Sequence, residues 1–90
     1  MDANFAEAHE LLGTVRAARG QFPGAIEQYR EALRVRPEFA RAQLHLGEAL
    51  ADSGDTAAAL PYLQKAAAAS DPATRDEASA RLDQLQSGRR

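Results

Sequence analysis

Few residues in this 90-residue chain are of the types that usually carry chemistry: two histidines, no cysteine and 13 carboxylates. His9-Glu10 opens like the His-Glu pair of a zinc protease, where a second histidine one helical turn on completes the metal site. Position 13 is glycine instead, and the other histidine, His45, stands alone in a different segment. Asp52-Ser53-Gly54-Asp55 has the acidic character of a calcium loop without its spacing or its closing glutamate. It reads as a helix end, a turn and an N-cap. Without thiols there is no thiolate metal site and no disulfide framework. No glycine-rich phosphate loop and no nucleophile–base pair is present. The residues predict no catalytic centre, no metal and no cofactor, with His9 and His45 as solvated surface groups.

Composition narrows the class of partner. A formal charge of −2 argues against sequence-independent nucleic-acid binding, which requires a basic surface. No apolar run approaches the roughly 20 residues of a membrane span. The opening "MDANFAEAHE" is acidic and lacks the apolar segment of a secretory signal. The default compartment is the cytoplasm, with the periplasm as the alternative if the segment belongs to a longer exported protein. The length fits one small domain, marginal in its capacity to bury a core.

The elements that position these residues follow from an internal repeat. Gly13 and Gly47 stand 34 residues apart, and the same shift carries Phe5 onto Phe39, Leu12 onto Leu46 and Gly20 onto Gly54. A period of this length implies stacked supersecondary units. In the first unit, Ala8, Leu11, Leu12, Val15 and Ala18 recur at helical spacing and predict one apolar face. Gly20 ends that helix, and Pro23 suits the first turn of the next. Ala25, Ile26, Tyr29, Ala32 and Leu33 form the second helix's buried stripe, and Pro37 closes it. The second unit follows with Ala42, Leu46, Ala49 and Leu50, then Gly54, the Asp55 cap, and Ala59, Leu60, Leu63, Ala66 and Ala67. Pro61 should bend the start of that helix or shift its first turn. Asp71-Pro72 opens a fifth helix whose apolar residues are Ala78, Leu82 and Leu85. The polar remainder suits a terminal cap. "SGRR" reads as a frayed tail.

These residues resemble the tetratricopeptide repeat pattern: Leu12-Gly13, Ala25, Tyr29, Ala32 and Pro37 in the first unit, and Leu46-Gly47, Ala59, Leu63 and Ala66 in the second. His9 and Gln43 stand where the family has a large apolar residue. Arg16 fills a slot that is usually aromatic, its stem able to cover the core while its charge stays in water. The resemblance implies an all-α, right-handed α-solenoid of antiparallel helix pairs with five helices. It forms a single domain: repeat 1 over about 4–37, repeat 2 over about 38–71, a capping helix over about 72–86 and a tail over 87–90. It also implies close helix packing at Gly13 and Gly47, where a missing side chain offsets the cost of glycine in a helix.

The function implied is a non-catalytic protein–protein interaction scaffold. Its concave face, lined by the first helices of the repeats, would hold a peptide or protein segment. Helical spacing gives that face Glu7, Glu10, Thr14 and Ala18, then Arg41, Leu44, His45, Glu48 and Asp52, then Arg75 and Ser79. The balance of these charges predicts a net acidic groove and a basic or neutral partner. A chaperone-type carboxylate clamp needs Lys and Asn here and is not supported. The alternative is self-assembly. The 34-residue shift places Asp2-Ala3-Asn4-Phe5 under Arg36-Pro37-Glu38-Phe39, so the chain opens at a repeat boundary. It would then be the terminal part of a longer array, or a homo-oligomer formed through its open first-repeat face.

Overall fold

The computed structural model describes residues 3–87, as five helices and no strand. The helices are α1 (Ala3–Ala18), α2 (Phe22–Val35), α3 (Ala40–Asp52), α4 (Thr56–Ala67) and α5 (Pro72–Ser87). Local chemistry sets their ends. Gly20 and Gly54 take positive φ values of 74° and 99° at the turns after α1 and α3, a conformation that glycine adopts without strain. Asp55 caps α4 by accepting a hydrogen bond from the Ala58 N–H at 3.1 Å. Asp71 does the same for α5, accepting from the Thr74 N–H at 3.3 Å and the Thr74 hydroxyl at 2.6 Å. These bonds hold the Asp71 carboxyl below its ordinary pKa. Helix α4 begins directly after its cap and runs through Pro61 to Ala67, with no displacement of its first turn. Residues 88–90, most of the expected tail, lie outside the described residues.

Consecutive helices pack as pairs, α1 with α2 and α3 with α4, and α5 closes on α4. The molecule measures 44 × 29 × 17 Å, so its thinnest dimension is less than two helix diameters. Each helix therefore keeps one face free. The main core joins Ala25 and Tyr29 of α2, Leu44, Leu46, Ala49 and Leu50 of α3, Ala59, Leu63 and Ala66 of α4, and Ala78 of α5. A smaller cluster of Ala6, Ala32, Phe39 and Ala42 ties the two repeats together.

Two close approaches set the spacing within the pairs. A Cβ built on Gly13 would lie 2.6 Å from Cε1 of Tyr29, and one built on Gly47 would lie 2.6 Å from Cγ of Leu63. Both distances are below van der Waals contact, so the large side chain of the second helix occupies the space the glycine leaves. Tyr29 and Leu63 are among the most completely buried side chains.

The apolar face expected for α1 is corrected. Leu11, Leu12, Val15, Ala8 and Ala18 are all exposed, and α1 instead turns Ala6, Glu10 and Gly13 inward. Leu12 is 42 % exposed, whereas Leu46, its counterpart, is 0 % exposed. The difference is one of neighbours. Leu46 lies in a cluster with residues of α2, and no described helix occupies the corresponding place beside α1.

Candidate protein-interaction face

Helices α1, α3 and α5 stand side by side, with α3 touching both of the others, and so present one continuous surface. Along it Glu7, Thr14, Arg41, Asp52 and Arg75 are exposed, and His45 and Glu48 are half-buried. Ala18 and Ser79 are exposed as well. Glu10 and Leu44 depart from the sequence reading: they are 1 % and 2 % exposed and offer nothing to a partner. Leu44 has joined the core.

Burying Glu10 requires that its charge be matched, because an unpaired carboxylate in the interior is strongly disfavoured. Helix α3 supplies the match. His45 Nδ1 lies 2.5 Å from Oε2 of Glu10, and Arg41 Nε lies 3.3 Å from Oε1. The Thr14 hydroxyl lies 3.0 Å from the Glu10 carbonyl and 3.2 Å from its carboxylate, within donating distance of both. Tyr29 in turn donates to Thr14 at 3.1 Å. Burial raises the pKa of the Tyr29 hydroxyl, against the opposing effect of the Thr14 hydrogen bond. The Tyr29 and His45 rings lie 5.7 Å apart at 46°. The network links α1, α2 and α3, so His45 is not a freely solvated histidine but the partner of a buried carboxylate. His9, the other histidine, places Nδ1 2.8 Å from Oε1 of Gln28. Gln43 donates to the Pro37 carbonyl at 3.0 Å. Both polar departures from the repeat pattern are therefore hydrogen-bonded.

The electrostatics of the face also change on folding. Asp52 is paired with Arg81 of α5. Glu48 has its pKa pushed up to about 8, first by burial, then by the hydrogen bond and charge of Glu77, with Arg81 opposing. At neutral pH it holds a proton most of the time. Glu10 is matched by its own partners. Three of the four carboxylates behind the expected acidic groove are thus neutralised in place, leaving a polar face of mixed sign.

Arg41 and Glu7 also line a depression of about 790 Å³, which opens between the α2–α3 turn, the end of α4 and the start of α5. Its other walls include Arg36, Phe39, Lys65, Asp71 and Thr74. Arg36 and Arg41 both stand over the Phe39 ring, at 4.5 and 5.3 Å from its centroid. Sequence reasoning placed none of these five on the candidate face, because Arg36, Phe39 and Asp71 come from the connections between helices, and Lys65 and Thr74 from the end of α4 and the start of α5. The Arg36-Pro37-Glu38-Phe39 junction was legible as a turn, but the helix ends that converge on it were not.

Comparison with known protein families agrees with this architecture. A family model for the tetratricopeptide repeat matches residues 10–74. The chain belongs to the tetratricopeptide repeat family, an all-helical class whose members mediate protein–protein interaction. No curated protein matches the chain. Among the described residues no helix is long and apolar enough to cross a membrane, and no cluster of three or more metal-ligating side chains forms.

Proposed function

We propose that this chain is a non-catalytic scaffold that holds an extended peptide or protein segment on the face formed by α1, α3 and α5. One observation carries the reading: Glu7 and Arg41 belong both to the row of exposed polar side chains and to the 790 Å³ depression. The row and the recess therefore form one surface. The hydrogen bond to buried Glu10 holds His45 in position before any partner arrives, so little of its rotamer freedom is lost on binding. The Phe39 ring with its two arginines adds an apolar floor beside hydrogen-bond donors. A polar segment of mixed or weak charge suits this surface better than a strongly basic one, because Asp52, Glu48 and Glu10 are already matched.

The test is selection of binders from a random-peptide display library on the whole domain, followed by titration against variants. Glu7→Arg combined with Arg75→Glu should weaken the selected peptides by at least tenfold. Arg30→Glu, which lies on α2 outside this face, should leave affinity unchanged. Undiminished binding by the double variant would place the site elsewhere.

A further inference from the structure

Helix α2 packs on α1 and α3, and α4 packs on α3 and α5, but α2 and α4 do not pack on each other. A cleft of about 260 Å³ opens between them, with α3 beneath it. Leu33 of α2 and Tyr62 of α4 line its walls, Leu46 and Gln43 of α3 its floor, and Pro37 the end next to the α2–α3 turn. The Gln43 amide is held by the Pro37 carbonyl at 3.0 Å. The cleft also carries charge of a single sign. Arg30 and Arg34 from α2 and Lys65 from α4 border it, and no carboxylate among the described residues does. The chain as a whole has a formal charge of −2, and the larger recess mixes its cations with Glu7, Glu38 and Asp71. Arg34 is matched by Glu31 of its own helix at 2.6 Å. Arg30 and Lys65 pair with no carboxylate among the described residues. One unmatched cation therefore belongs to each wall, above an apolar floor. The Lys65 ammonium lies 5.7 Å from the centroid of the Tyr62 ring, so charge and apolar wall adjoin.

We propose that this cleft binds a small organic anion, a carboxylate carried on a compact aromatic or aliphatic body. The two parts of such a molecule meet complementary parts of the cleft. The body leaves water against Leu33, Leu46 and Tyr62. The carboxylate lies between Arg30 and Lys65, where charge-assisted hydrogen bonds hold it and the repulsion between the two cations is relieved. Size selects a small molecule over a peptide segment. The volume falls just below the roughly 300–1,000 Å³ usual for ligand pockets. Each helix contributes about one turn to the lining, roughly 5.4 Å of length. An extended peptide advances roughly 3.3 Å per residue and would place only about two residues there. The site is distinct from the face of α1, α3 and α5. Lys65 and Gln43 border both depressions, whereas Arg30, Leu33, Leu46 and Tyr62 border only the cleft.

Titration of the isotope-labelled whole chain with phenylpropionate, followed by NMR, tests the proposal. Saturable shifts should centre on Leu33, Leu46 and Tyr62. Phenylpropionamide lacks the charge and acetate lacks the body. Each should bind about tenfold more weakly or worse, the effect of losing a charge-assisted hydrogen bond or a buried apolar group. Arg30→Glu and Lys65→Glu should weaken phenylpropionate to a similar degree with unchanged helical circular dichroism, since both side chains are exposed. Glu7→Arg combined with Arg75→Glu should leave its binding unchanged, which separates this site from the peptide face. Absence of saturable shifts would overturn the proposal, as would equal binding of the amide or of acetate. So would undiminished binding in either charge reversal, or weakening by the Glu7→Arg and Arg75→Glu pair. Tighter binding of N-acetylphenylalanine would overturn it too, because the occupant would then be the end of a protein chain.

Discussion

Glu10 has the most consequential environment of any single residue here, being nearly inaccessible and yet matched by a histidine, an arginine and a threonine. Its partners are only partly buried, so its removal leaves charges that water can still reach. Glu10→Ala should therefore destabilise by about 2 kcal/mol, the range for hydrogen bonds to a charged group, and not by the larger cost of stranding a buried ion. Urea denaturation of the variant checks this. The glycines respond to volume instead of charge. Gly13→Ala and Gly47→Ala place a methyl 2.6 Å from Tyr29 and Leu63, so each should cost about 1–3 kcal/mol by overpacking despite alanine's better helix propensity. A gain in stability for both would show that the helix pairs are not in close contact there.

At the scale of elements, the docking of α5 on α3 carries a pH dependence. Glu48 keeps its proton up to about pH 8 because burial and Glu77 disfavour its charge. The folded chain thus holds a proton that the unfolded chain releases near the ordinary carboxylate pKa. The associated stability is fully present below that ordinary value and is lost as pH rises through about 8. Glu48→Gln removes this loss, so the stability of the variant relative to the parent should rise steadily between pH 5 and pH 9. Thermal melts at several pH values would reveal it, and a constant difference would mean that the Glu48–Glu77 contact does not form. Asp71 acts at the start of the same helix. Asp71→Ala should cost about 1 kcal/mol, the usual worth of an N-cap, with hydrogen exchange accelerated first in α5.

The whole molecule is a thin stack in which each helix relies on its neighbours. The polar face of α1, α3 and α5 is fixed by contacts inside the chain and should bind without altering the fold. A peptide bound there should raise the melting temperature by mass action, read by thermal melts at increasing peptide concentration.

The sequence by itself determined what depends on near neighbours along the chain. The turns at Gly20 and Gly54, the caps at Asp55 and Asp71 and the helical spacing of Ala25, Tyr29 and Ala32 all arise from interactions within a few residues. Those interactions are encoded by residue type and spacing. Burial is different, because it depends on which helix comes to lie alongside. Leu12 and Leu46 sit in the same Leu-Gly phrase, yet one is 42 % exposed and the other 0 %. Helical spacing could place Glu10 and Leu44 on a nominal groove, but only the approach of α3 to α1 and α4 sealed them inside. The charge of the face was likewise legible as a list of acidic residues and not as a potential. The pairing of Asp52 with Arg81 and the proton held by Glu48 come from α5 closing on α3, a contact between segments about 30 residues apart in the chain.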